Sequence, residues 1–189
     1  MRKLITLFLI ILSLDSLAQV SILPIDPSSG NVTYTEVIRV DSVSASELFS
    51  RSKLWFAKTY NSSKDVIQNT DNDNYSITGK AKIRTHARIM GERTWGYVSY
   101  IISIYCKNGR YKYVVSDFYH EGDAIATSST LTPSVGQINR NTKESGGFGS
   151  YRKKDLDRLC EEINSNIKSL IVSLKNGMSK KSEAESKDW

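Results

Sequence analysis

The dipeptide Asn108-Gly109 separates two runs of β-forming residues, 96–107 and 110–121, and no other feature constrains the fold as strongly. Both residues tolerate the positive φ of a two-residue type I′ turn, and that turn matches the right-handed twist of the strands beside it. A loop this short fixes the register. Lys107 is then expected opposite Arg110, Cys106 opposite Tyr111, Ile104 opposite Tyr113, Ile102 opposite Val115 and Val98 opposite Tyr119. Directly opposed residues share a face. One face gathers Val98, Tyr100, Ile102, Ile104, Cys106, Tyr111, Tyr113 and Val115, and reads as core. The other gathers Tyr97, Ser99, Ile101, Ser103, Tyr105, Lys107, Lys112, Val114, Ser116, Phe118 and His120.

The remaining elements follow from periodicity. The segment 32–40, VTYTEVIRV, is rich in β-branched residues and reads as a strand. Ser44 or Ser46 is suited to cap a helix ending near Tyr60, with Leu48, Ser52, Trp55 and Thr59 on one face and Phe49 and Phe56 beside them. Residues 66–69 read as a short strand. Asp71-Asn72-Asp73-Asn74 reads as a turn. In 75–84, Ile77, Ala81 and Ile83 alternate with Ser76, Thr78, Lys80, Lys82 and Arg84, the pattern of a half-buried strand. The polar stretch 86–94 reads as a loop into which that strand could run. Residues 122–150 form a long polar connection containing Pro133 and the run Ser145-Gly146-Gly147-Phe148-Gly149-Ser150. From 151 to about 175, Leu156, Leu159, Cys160, Ile163, Ile167, Leu170, Ile171 and Leu174 recur on one helical stripe, which Gly177 is expected to stop. The expected order is β-α-β-β-β-β-α, with five strands, two helices and one antiparallel sheet. Each helix and the hairpin are apolar on one side only, so packing both helices on the same sheet face buries all of them. The fold class is α+β.

The N-terminus reads as an address rather than as structure. Arg2 and Lys3 precede an apolar run from Leu4 to Leu12, and Ser16-Leu17-Ala18 places small residues where a signal peptidase cleaves. Residues 1–18 are therefore expected to be a signal peptide cut before Gln19. The apolar run is shorter than the roughly 20 residues that span a bilayer. The domain organisation that follows is a lead-in segment over 19–31, a single domain over 32–176 including the long loop 122–150, and a disordered tail over 177–189. The expected location is the periplasm or the cell exterior, with no transmembrane segment after cleavage. The 189 residues carry 26 basic against 20 acidic side chains, a net charge of +6. Loss of Arg2, Lys3 and Asp15 with the signal leaves an excess of five. Export removes most of the argument for a nucleic-acid partner.

At residue level the chain resembles the exported Bacteroidetes proteins known as domain of unknown function 4468. The resemblance is carried by the signal peptide, by the lead-in LPIDPSSGNVTYTEVIRVDSVSASELFSRSKLWF and by the hairpin YIISIYCKNGRYKYVVSDFYHEG. It covers roughly 23–122, with the closing helix matching by topology. It implies a TATA-box-binding-protein-like fold, a curved antiparallel sheet with helices on one side. The family brings no catalytic signature, so no functional residue carries over.

No catalytic, cofactor or metal motif emerges from the residues themselves. His86 and His120 lie in no HExxH, HxH or Cys/His spacing. The run SGGFGS does not follow a strand as a phosphate-binding loop would. Asp71-Asn72-Asp73-Asn74 lacks the following Gly and distal Glu of a calcium loop. Asp41-Ser42-Val43 matches a short bacterial O-glycosylation pattern, and three N-X-Ser/Thr triplets begin at Asn31, Asn61 and Asn74. Cys106 and Cys160 both fall on core-facing stripes, and either a disulfide or two buried thiols satisfies that placement.

One constellation has the makings of a binding surface. Lys80, Lys82 and Arg84, together with Tyr97, Tyr105, Lys107, Arg110, Lys112, Phe118 and His120, are expected on the sheet face turned away from the helices. Aromatic rings offer stacking platforms and the cations offer phosphate or carboxylate contacts. The expected function is an exported, non-catalytic binding or scaffolding module, with an acidic glycan, lipopolysaccharide or an envelope protein as the class of partner. The competing expectation is an exported hydrolase acting on glycan or cell-wall material, with its site around His120 and Asp123 in the long loop.

Overall fold

The computed structural model describes residues 23–88, 92–123, 134–139, 142 and 153–179. The expected signal peptide, residues 19–22 of the lead-in, the glycine-rich run 145–150 and the tail from 180 onward lie outside the described residues.

The chain enters strand β1 (Tyr34–Arg39), helix α1 (Ala45–Thr59), a single helical turn α2 (Ser63–Val66) and the short strand β2 (Ile67–Asp71). Two long strands follow, β3 (Ser76–Arg88) and β4 (Glu92–Lys107), then β5 (Arg110–Glu121), a two-residue strand β6 (Gly136–Gln137) and the long helix α3 (Lys153–Ser179). All pairings are antiparallel, in the order β1-β5-β4-β3-β2. Strand β6 pairs with β5 at Tyr119 and His120, beyond the residues that β1 covers. Five strands were expected; β6, within the connection read as polar loop, makes six. Of the polar stretch 86–94, residues 86–88 and 92–94 supply the facing ends of β3 and β4.

The Asn108-Gly109 turn does more than join two strands. The Asn108 Oδ1 accepts the Ala45 N–H at 2.8 Å at the start of α1. The Gly109 N–H donates to Val43 at 2.8 Å, and its carbonyl accepts from Val40 at 2.9 Å. The hairpin tip is thereby stitched to the β1–α1 connection. The Ser44 hydroxyl caps α1 by accepting the Glu47 N–H at 3.2 Å.

The two long helices, α1 and α3, pack on one face of the sheet, and a single core forms between them and it. Leu48, Phe49, Trp55 and Phe56 of α1 and Leu159, Ile163, Ile167 and Leu174 of α3 meet Ile77, Val98, Ile102, Ile104, Tyr113 and Val115. Burying a side chain of this size stabilises by roughly 1.5–3 kcal/mol. Gly177 does not stop α3: a Cβ there would lie 2.9 Å from Trp55 Cδ1, so the residue lets the two helices approach closely. The helix runs to Ser179, and Met178, expected in the tail, is buried. Arg51 is buried between the helices, bonded to Glu47 at 2.7 Å and donating to the Met178 carbonyl at 2.9 Å. A cation at the carbonyl end of α3 suits the helix dipole. Cys106 and Cys160 are two buried thiols and form no disulfide. Burial pushes the Cys106 thiol up to about 12.

Candidate ligand-binding face

The turn holds the expected register from Lys107–Arg110 as far as Ile101–Ser116. Beyond that point the pairing slips. Ser99 lies opposite Tyr119 and Val98 opposite His120, one residue out of the expected step. The extra residue is Asp117, whose φ of 56° puts it in the left-handed region. A bulge of this kind reverses every later side chain. Phe118 and His120, expected on the outer face, are fully buried, and Tyr119 and Glu121 turn outward in their place. The pattern itself carries the signal: large inward residues fall on odd positions through Val115 and on even positions from Phe118.

His120 is fixed at both ring nitrogens. Its Nε2 donates to the Trp95 carbonyl at 2.7 Å, and its Nδ1 accepts the Val135 N–H at 3.0 Å. This arrangement calls for a neutral ring with the proton on Nε2. Burial holds its pKa below the ordinary value. The ring packs edge-on to Trp95, with centroids 5.0 Å apart. Both nitrogens that a general acid–base role would need are thus occupied by backbone groups. The other histidine also holds elements together: Glu162 of α3 accepts the His86 backbone N–H at 3.0 Å and contacts its Nδ1 at 2.7 Å.

The other eight candidates stay together. Lys80, Lys82 and Arg84 on β3, Tyr97, Tyr105 and Lys107 on β4, and Arg110 and Lys112 on β5 lie on the sheet face opposite the helices. The face has two different ends. At the end nearer the bulge the charges have partners: Lys82 lies 3.6 Å from Glu121, and the Arg84 guanidinium sits 5.4 Å from the centre of the Tyr97 ring. At the hairpin tip, Val37, Tyr105, Lys107, Arg110, Tyr111 and Lys112 line an open recess of about 430 Å³. Tyr105 is 45% exposed and Val37 is 56% exposed. Val37 and Arg39 reach this surface because β1 pairs with β5, setting Val37 opposite Lys112 and Arg39 opposite Arg110. The sequence could not supply that pairing, because no short turn links β1 to β5.

The Asp71-Asn72-Asp73-Asn74 segment has a structural role. Asp71 accepts the N–H groups of Asp73 and Asn74 at 3.1 and 3.0 Å and the Asn74 amide at 2.8 Å. These bonds, the Asn74 side chain first, hold its carboxyl below the ordinary range. Its oxygens serve the turn. Among the described residues no group of three or more His, Cys, Asp or Glu is placed to hold a metal ion. Among the same residues no helix is long and apolar enough to cross a membrane.

A curved antiparallel sheet with its helices on one side defines an α+β protein of TATA-box-binding-protein-like fold. Residues 34–121 match the family described as "Domain of unknown function (DUF4468) with TBP-like fold", and over that stretch the chain is similar to this family, as its motifs imply. Two crystal structures share the architecture. A TBP-like protein from Parabacteroides distasonis superposes with a TM-score of 0.64 at 16% identity, covering 85% of this chain and 99% of that one. A DUF4468 family protein from Bacteroides ovatus gives 0.63 at 12% identity, covering 85% and 92%. At these identities the likeness is one of fold. No curated protein matches the chain.

Proposed function

We propose that this chain is an exported, non-catalytic module that binds or scaffolds an acidic partner in the cell envelope or outside the cell. One observation carries the reading: eight basic and aromatic side chains from three neighbouring strands share one sheet face, while both helices pack on the other. Among the described residues no helix packs on that face. The N-terminal pattern of Arg2, Lys3, the apolar run and Ser16-Leu17-Ala18 supports export. The engagement of His120 by Trp95 and Val135 favours binding over hydrolysis at the long loop.

Affinity capture from envelope extract tests the face. The protein should retain partners that the Tyr105→Ala/Lys112→Ala double variant loses, both substitutions being at exposed positions. Equal recovery by the two proteins would refute it. Expression of the full chain with its N-terminus, followed by intact-mass measurement, tests export; the product is expected to begin at Gln19.

A further inference from the structure

The two ends of the outer face differ in whether their cations have partners. Lys82 and Arg84 already have partners in Glu121 and Tyr97. At the tip, Arg39, Arg110 and Lys107 stand abreast on β1, β5 and β4, and Lys112 lies two residues along β5. None of these four cations makes an ion pair among the described residues. Like charges directly opposite in a sheet repel. Three abreast is a local cost that folding does not require, and a bound anion would remove it.

The next row is Val37, Lys112 and Tyr105 on the same three strands. With strands about 4.8 Å apart and alternate residues about 6.8 Å apart, the two rows cover an area about 10 Å by 7 Å. That is the footprint of one or two sugar rings. The recess of about 430 Å³ is of the size that holds small ligands. It offers one exposed aromatic ring, one exposed aliphatic side chain and a row of cations, with Arg110 able to grip an oxyanion bidentately. A nucleic-acid duplex would instead call for cations with no other partner along the length of the strands. Lys82 and Arg84 do not meet that condition.

We propose that the recess at the hairpin tip binds an acidic saccharide, a sugar ring bearing a carboxylate or phosphate. Arg110, Lys107 and Lys112 hold the anionic group, and Tyr105 and Val37 pack against the ring. This rests on the reading of the outer face as the ligand surface, and narrows it to one end and one chemistry.

Titration calorimetry on the purified protein tests it with trigalacturonate, glucose 1-phosphate, uncharged maltotriose and inorganic phosphate. At least one acidic sugar should bind; which one does distinguishes carboxylate from phosphate as the anionic group. Maltotriose and inorganic phosphate should each bind at least about tenfold more weakly, as should the same sugar to Arg110→Ala, to Lys107→Gln/Lys112→Gln and to Tyr105→Ala. Lys80→Ala/Lys82→Ala should bind like the parent. Circular dichroism on each variant keeps loss of binding separate from loss of fold. Absence of binding by both acidic sugars at millimolar concentration overturns the proposal, as does inorganic phosphate binding as tightly as they do. Binding lost only in Lys80→Ala/Lys82→Ala overturns the recess while leaving the outer face as the ligand surface. Equal partner capture by Tyr105→Ala/Lys112→Ala would sink the wider reading.

Discussion

The β4–β5 hairpin is two structures joined end to end. From the turn to Ile101 and Ser116 it alternates strictly, its register is set by two residues, and its exposed outer side chains include Tyr105, Lys107, Arg110 and Lys112. From Asp117 to Glu121 it is irregular. Asp117 bulges β5, Gly96 takes a φ of 90° on β4 where the β3–β4 pairing shifts, and Trp95 and His120 turn inward. The regular half exposes its chemistry, whereas the irregular half buries its own. An aromatic or a histidine on a strand therefore belongs to a surface or to a core according to which side of a bulge it lies on.

The sharpest way to break this contrast is to add one methyl group in each half. A Cβ on Gly96 would lie 1.9 Å from the Glu121 carbonyl oxygen at a φ that L-residues rarely adopt. Gly109 also has a positive φ, of 72°, but a Cβ there meets nothing within 4 Å. Gly96→Ala should cost at least about 4 kcal/mol in denaturant unfolding, because backbone must move as well as strain. Gly109→Ala should cost only about 1–2 kcal/mol, the left-handed penalty alone. Equal losses would mean that the bulged half carries no special constraint.

His120 is the next test. Replacing it by Leu leaves the Trp95 carbonyl and the Val135 N–H buried without this partner, and should cost about 3 kcal/mol. The pH dependence gives an independent readout. Burial lowers the folded-state pKa of His120 below its ordinary value of 6.5. Between those two values the unfolded chain binds more protons, so stability must fall as pH drops from about 6.5 toward the folded value. Asp26, Glu36 and Asp71, whose pKa values hydrogen bonds lower, lose their stabilising contributions at more acidic pH, through the carboxylate range. Unfolding curves at pH 7 and pH 5.5 should therefore separate for the parent and converge for His120→Leu. An unchanged separation in the variant would assign the dependence to another group.

Asp117 sharpens the comparison at a single exposed position. Its φ of 56° is left-handed, and its side chain accepts from the Ser116 hydroxyl at 3.2 Å. Asp117→Gly should be neutral or stabilise by up to about 1 kcal/mol, since glycine adopts this conformation without strain. Asp117→Val should destabilise by about 1–2 kcal/mol, because a β-branched side chain resists it. A bulge free to slide along β5 would make the two substitutions indistinguishable by thermal unfolding.

How far the sequence could be read follows from the same division. Asn108-Gly109 made the regular half legible residue by residue, and the helical stripes of α1 and α3 made it clear that both helices seek one sheet face. The bulge was visible only as a change of phase after Val115, which a single Asp does not announce. Pairing across long connections left no local trace, so the place of β1 beside β5, and with it Val37 and Arg39, came only from the fold. Gly177 misled because a glycine near a helix end serves equally as a stop and as a seat for a neighbouring ring. Here Trp55 takes the seat.

The smallest expected effect concerns the tip itself. Lys107, Arg110 and Arg39 face one another across three strands with no acidic side chain bonded to them among the described residues. If that row is kept for a ligand, it opposes stability, and weakening it should help the free protein. Arg110→Gln is expected to raise stability by about 0.5 kcal/mol at low ionic strength, the scale of a like-charge pair in a sheet. The gain should shrink as added salt screens the repulsion. At the opposite end Lys82→Gln should do the reverse, giving up its contact with Glu121 for a loss of a few tenths of a kcal/mol at most. Opposite signs at the two ends, read from denaturant midpoints at low and high salt, would mark the tip as charge held against folding. Equal signs would leave the row as an ordinary solvated edge of the sheet.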